Sequence, residues 1–255
     1  MLYPRVVEVA RGGVARHVAA SSAAPRVALV TAGARGLGGV IARRLAADGL
    51  AVAVNDVGDG ARALEVVGAI REAGGVADAF MGDVTDERQV AELAAAIADG
   101  LGPVDVLVLN ATGQQPEAPL VAVAWEDHVA QLELLVKSPV MLGRALLPAM
   151  TARRCGRIVQ VDGEAVDRPL PGRTAYATAK SAQIGLTRSW ARALAPLGIT
   201  VNSVAPGFVS AQRHGDVPAA LRRAVAHAVS FVASEAAGFI TGQRIVVDGG
   251  RGLAG

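Results

Sequence analysis

"RVALVTAGARGLGGVIARRLAADG", residues 26–49, decides how the chain is read, because three kinds of local structure meet in it. A β-branched run, "RVALVT" (26–31), enters a glycine-dense turn, "TAGARGLGG" (31–39), and the turn opens a stretch with helical spacing of its apolar residues. Glycines at such a turn let the backbone approach a pyrophosphate, and the helix N-terminus behind them supplies unpaired N–H groups and the positive end of the helix dipole. Glycine turns between strand and helix also occur with no cofactor, so a second signal is needed. Asp56 provides one. It lies 18 residues beyond Gly38 at the end of the next β-like run, where a carboxylate can accept hydrogen bonds from a ribose diol. A helix N-cap or a solvated loop end is the competing role for Asp56.

The same alternation continues along the chain. β-like runs at 26–31, 51–56, 76–82, 104–110, 157–162, 199–205 and 244–249 are separated by alanine- and leucine-rich stretches, with long helices expected over 126–153 and 175–196. Strands alternating with helices imply a parallel sheet covered on both faces. No internal repeat or low-complexity linker divides the chain, and 255 residues with 52% hydrophobic content suffice for one sizeable core. The expected organisation is a single α/β domain over 26–255, including the substrate pocket, preceded by a loosely ordered extension over 1–25. That extension is arginine-rich but lacks an apolar run of signal-peptide length, and no stretch of the chain reaches the ~20 apolar residues that span a bilayer.

Composition narrows the functional classes. Twenty-five basic and 23 acidic residues leave a net charge of only +2, so no nucleic-acid partner is implied. The single cysteine, Cys155, excludes an internal disulfide and fits a reducing, cytoplasmic setting. His17, His128, His214 and His227 show no metal-ligand spacing, and no metal site is expected.

"AYATAK" (175–180) holds one of two tyrosines and one of two lysines, four positions apart. On a helix that spacing places Tyr176 and Lys180 on one face. A phenol titrates near ~10 in water and is a poor acid–base catalyst at neutral pH, whereas a neighbouring ammonium favours the phenolate. The pair can therefore act as a proton-transfer device with Lys180 lowering the pKa of Tyr176. The competing arrangement is a tyrosine packed on a helix face beside a solvated lysine.

Taken together, these residues resemble the short-chain dehydrogenases/reductases, in particular members similar to 3-oxoacyl-carrier-protein reductases. The family's TGxxxGxG turn is matched by Thr31, Gly36 and Gly38, with Ala32 at the usual first glycine, Gly33 beside it and Arg35 and Leu37 between. Asp83 and Val84 match its adenine-side pair, Asn110 and Ala111 its motif after the fourth strand, Tyr176 and Lys180 its proton-handling pair, and Pro206 and Gly207 its nicotinamide-side turn. The resemblance, spanning residues 26–250, implies a Rossmann-like doubly wound sheet of seven parallel strands. It also implies a nicotinamide cofactor, hydride exchange with a carbonyl or secondary alcohol, and a homotetramer or homodimer built on the two long helices. Lys180 would also reach the cofactor ribose. NAD is expected over NADP because the Asp56 carboxylate repels a 2′-phosphate, although Arg35 resembles the basic residue of some NADP-using members.

Four departures from the family pattern bear on activity. Gly163 stands where a substrate-binding serine usually precedes the tyrosine by 13 residues, with Asp162 and Glu164 as neighbours that only accept hydrogen bonds when ionised. The asparagine of the long helix falls near Leu132 or Leu135, and Leu109 replaces the first asparagine of the fourth-strand motif. The substrate-covering segment after Gly207 looks short. Thr112 and Gln114 are the candidate replacement donors and, with Gly163 and Glu164, the candidate substrate pocket. The alternative reading is a nucleotide-binding protein of this fold with weak or no redox turnover, serving as a partner subunit or a non-redox proton-transfer catalyst.

Overall fold

The computed structural model describes residues 25–58, 60–115, 117–207 and 218–253. Residues 1–24 and 208–217, which carry the expected N-terminal extension and most of the segment expected to cover the substrate, lie outside the described residues.

Seven parallel strands form one sheet: β1 (Val27–Val30), β2 (Ala51–Asp56), β3 (Val76–Met81), β4 (Val104–Leu109), β5 (Gly156–Val161), β6 (Ile199–Pro206) and β7 (Arg244–Val247). Their order, β3-β2-β1-β4-β5-β6-β7, reverses direction of growth between β1 and β4. The sheet is thus doubly wound, and its topological switch point opens a crevice at the carboxyl ends of the strands. Each expected strand is present within a residue or two of its expected limits. The legibility has a physical origin: a strand covered on both faces reads as a continuous apolar run. Ala28 and Val30 enter one core with Val52, Val54, Val106 and Val108, while Val27 and Leu29 enter the other with Ala51, Ala53 and Leu107.

The covering helices are α1 (Gly36–Ala47), α2 (Ala61–Glu72), α3 (Glu87–Gly100), α4 (Trp125–Leu132), α5 (Ser138–Arg153), α6 (Thr174–Leu194) and α7 (Ala219–Ala233). The long helix expected over 126–153 is interrupted. A π-helical turn, Glu133–Lys137, joins α4 to α5, and such insertions often accompany functional sites. Helix starts differ in a way that matters for ligands. The Asp86 side chain caps α3 by accepting from Gln89 N at 2.9 Å, whereas α1, like α2, α6 and α7, begins with no side-chain cap. The first-turn N–H groups of α1 are left to other partners. No helix among the described residues is long and apolar enough to cross a membrane.

Candidate functional site

The glycine turn between β1 and α1 is held by the end of β4. Thr31 Oγ1 accepts from Asn110 N at 2.9 Å and Ala111 N at 3.0 Å, and the Asn110 amide donates to Thr31 O at 3.0 Å and Ala32 O at 3.3 Å. Asn110 and Ala111 thus brace the turn. A β-carbon on Gly38 would lie 2.1 Å from Ala32 O and 2.6 Å from Asn110 Nδ2, so only glycine fits where the helix meets the turn. Gly36 adopts φ +54°, which favours glycine, but Ala32 adopts φ +48° with a side chain attached. Gly33 N donates to Asn55 O at 2.7 Å, which fixes the turn to the end of β2 as well.

Beyond β2, the Asp56 carboxylate accepts from Val57 N at 2.9 Å and lines a recess with Arg35, Gly58, Gly60, Arg62 and Met81. Arg62 was not singled out in the sequence because it lies on α2, one residue past its start; the structure brings it to the same recess as Arg35. Asp83 Oδ1 is occupied by Thr85 N at 2.8 Å and Thr85 Oγ1 at 2.7 Å, and Val84 is buried in the core. The side chains of this pair therefore shape the loop. At the far side of the crevice, Gly207 N donates to Val247 O at 2.9 Å, and a β-carbon there would lie 2.5 Å from Asp248 Cβ. The Pro206–Gly207 turn is thereby pressed against the end of β7.

The tyrosine and lysine do share one face of α6. Lys180 Nζ is 5.7 Å from the Tyr176 ring centroid and donates to Val161 O at 2.9 Å, with the lysine itself fully buried. The expected depression of the phenol pKa by this ammonium is corrected by the arrangement of charges. Burial first, and then the Asp162 carboxylate, push Tyr176 up to about 12, against a Thr112 hydroxyl bond and the Arg173 charge acting in the other direction. Lys180 reaches the ring and the β5 carbonyl, and its own burial pulls it down to about 8, with Asp162 opposing.

Gly163 faces Tyr176: a β-carbon there would lie 3.7 Å from the phenolic oxygen, an ordinary contact distance. Its φ of 171° is extended backbone open to any residue. Thr112, on the loop after β4, approaches the same phenol with its hydroxyl. Gln114 holds the site through its backbone, since its carbonyl accepts from Gln131 Nε2 at 2.7 Å. Gln131 is buried beside Leu132 and was not read from the sequence as a site residue; a buried amide just before the π-helical turn is its signature. Glu164 is buried in the 3-10 turn after Gly163, 3.8 Å from the Arg168 guanidinium.

A doubly wound sheet with an uncapped, glycine-bearing helix start at its switch point and a tyrosine–lysine pair across the crevice defines a dinucleotide-binding class of protein. Comparison with known proteins narrows the class. The family model "short chain dehydrogenase" matches residues 26–221, and the chain belongs to that family. It is 38% identical over 141 residues to the 3-oxoacyl-[acyl-carrier-protein] reductase of Salmonella typhimurium, covering 49% of this chain and 57% of that protein. With the reductase of the same name from Thermotoga maritima it shares 33% identity over 149 residues, or 52% and 61% of the two chains. The chain therefore spans somewhat more than half the length of these relatives. Solved structures align more completely. A dehydrogenase/reductase from Sinorhizobium meliloti 1021 superposes with a TM-score of 0.78 at 33% identity, over 90% of this chain and 96% of that one. A gluconate 5-dehydrogenase from Burkholderia cenocepacia J2315, in complex with NADP and tartrate, superposes with a TM-score of 0.80 at 30% identity, over 89% and 95%.

Proposed function

We propose that this chain is a nicotinamide-dependent oxidoreductase that transfers hydride between NAD(P)(H) and a carbonyl or secondary alcohol. The observation that carries the reading is the meeting of three groups at one point: the Tyr176 phenol, the Thr112 hydroxyl and the open position at Gly163. The cofactor supplies or accepts the hydride. Tyr176, held protonated by burial and by Asp162, donates its proton to the carbonyl oxygen in reduction, and in the reverse direction the phenolate takes up the alcohol proton. Lys180 supports the phenol and offers its ammonium to the ribose. Thr112 stands in for the missing serine as a donor to the substrate oxygen, and Gly163 leaves space beside it.

The residues fit the cofactor they would hold. The uncapped start of α1 and the β-carbon-free approach at Gly38 accept a pyrophosphate, Asp56 accepts from a ribose diol, and Pro206–Gly207 border the nicotinamide side. We infer a preference for NAD(H), since the Asp56 carboxylate repels a 2′-phosphate, with Arg35 and Arg62 in the same recess moderating the discrimination. A cytoplasmic homodimer or homotetramer formed on α4, α5 and α6 is part of the same reading, supported by the family resemblance. The test is cofactor oxidation over quinones, simple ketones and 3-oxoacyl thioesters, run beside binding titrations with NADH and NADPH. Turnover of one class with tighter NADH binding supports the proposal. Binding without turnover on every class would favour the nucleotide-binding alternative, and tighter NADPH binding would reverse the cofactor preference.

A further inference from the structure

Asp162 directly follows β5, and its side chain is shut off from solvent. Oδ2 accepts from Arg244 Nε at 2.7 Å and from Ser203 Oγ at 3.2 Å. Oδ1 is equally buried and has no hydrogen-bond partner. Arg244, the first residue of β7, reaches past β6 and also donates Nη1 to Asp167 Oδ2 at 2.6 Å and Nη2 to Gly163 O at 2.9 Å. One guanidinium thus serves two carboxylates and the carbonyl of the residue that faces Tyr176.

We propose that Asp162, anchored by Arg244, is the buried counter-charge of Lys180 and a positioning residue of the reaction centre. A carboxylate inside a fold is strongly unfavourable unless opposite charge and hydrogen bonds compensate it. Arg244 compensates only in part, because Asp167 shares it. The four groups Asp162, Asp167, Arg244 and Lys180 sum to zero when the lysine is an ammonium. Lys180, in turn, is buried with Val161 O as its hydrogen-bond acceptor, one residue before Asp162. The remaining charges around the centre have other partners, although Arg173 also acts on Tyr176 in the sense opposite to Asp162. Arg173, which faces Tyr176, is bound to Gln115 and lies 3.5 Å from Glu117, and Arg168 lies beside Glu164. Burial raises the Asp162 carboxyl above the usual carboxylate range, with Arg244, Lys180 and Ser203 acting against that rise, and its charge in turn raises the proton affinity of both Lys180 and Tyr176. Through Arg244 it also holds the Gly163 carbonyl, so the same ion pair sets the charge of the proton-handling pair and the backbone of the turn opposite it.

The inference rests on the oxidoreductase reading for its meaning, but its test does not require turnover. The chain contains two lysines, Lys137 on the exposed π-helical turn and Lys180 in the interior. Lysine labelled with carbon-13 at Cε therefore gives two NMR signals, and the titration of the buried one reads Lys180 directly. In the Asp162→Asn protein its midpoint should fall by about one pH unit or more, tenfold in proton affinity. Asp162→Ser, a smaller neutral replacement, should give the same direction and keeps the test available if the asparagine variant does not fold. In a Tyr3→Phe background, where Tyr176 is the remaining tyrosine, tyrosinate absorbance should show the phenol midpoint falling with it. A Lys180 midpoint that stays within about 0.3 pH unit of the parent in a folded variant overturns the inference. A shifted midpoint in a protein that oxidises no cofactor would uphold the counter-charge and remove the oxidoreductase reading alone.

Discussion

Gly163 and Tyr176 stand opposite each other with space for one side chain between them, a β-carbon at 163 lying 3.7 Å from the phenolic oxygen. The backbone there is extended, so serine enters without strain. A serine hydroxyl would add a second donor to a developing oxyanion beside Thr112. Gly163→Ser should raise reduction of an activated ketone or quinone by about tenfold or more, the order expected for one preorganised donor. Steady-state NADH oxidation by parent and variant at matched concentration checks this. An unchanged or lower rate in a folded, NADH-binding variant would mean that the site serves chemistry in which Thr112 suffices.

Tyr176→Phe should abolish turnover with little change in nucleotide affinity, because the lost hydroxyl faces Gly163 and Thr112. Lys180→Ala should damage both, since its ammonium serves the phenol and, in the proposed complex, the ribose. Fluorescence titration with NADH beside turnover separates the two. Substantial activity in the Tyr176→Phe protein would place the proton transfer elsewhere.

Ala32 occupies the left-handed region at φ +48°, where a β-carbon is strained by about 1–2 kcal/mol. Ala32→Gly removes that strain but loosens the unfolded chain by about 0.4–1 kcal/mol, so the net gain should be near 1 kcal/mol or below. The opposite change where the same turn meets α1, Gly38→Ala, forces a β-carbon to 2.1 Å from Ala32 O and should cost about 1–3 kcal/mol or more. Denaturant midpoints measure both; a destabilised Ala32→Gly protein would contradict the strain argument.

Sequence spacing exposed much of this site because the relevant constraints are local. Gly38 is confined to glycine by Ala32 O within its own turn, and Tyr176 and Lys180 meet by helical periodicity alone, whereas Gly207 is pressed by Asp248 from beyond β7. The π-helical turn at Glu133–Lys137 was hidden because "ELLVK" carries the same apolar spacing as an ordinary helix. The Asp162–Arg244 pair was hidden for another reason: 82 positions separate partners that meet only after β5, β6 and β7 are laid side by side. The proton affinity of Tyr176 follows first from burial and then from Asp162 of that unseen pair. Helical spacing placed the ammonium near the ring, but the direction of the shift depends on burial and on a carboxylate contributed by another strand.

Buried Lys180 also makes stability depend on pH, with a definite sign. Burial lowers its pKa from 10.5 to about 8, so between those values the unfolded chain binds more protons than the folded one. Stability from this group therefore rises with pH across that window, and at neutral pH the buried ammonium opposes folding by about 3 kcal/mol. Tyr176 acts later and oppositely: its pKa is raised from 10 to about 12, so the folded state gains protons relative to the unfolded one and stability falls above pH 10. Lys180→Met isolates the first effect, because both proteins retain Tyr176. The methionine variant should be the more stable at pH 7, and its advantage should shrink as pH rises toward 10. Thermal unfolding of the two proteins at pH 6, 7, 8, 9 and 10 gives the comparison. A constant difference in Tm across that range would show that Lys180 keeps its ordinary proton affinity in the folded protein, and would contradict the lowering by burial.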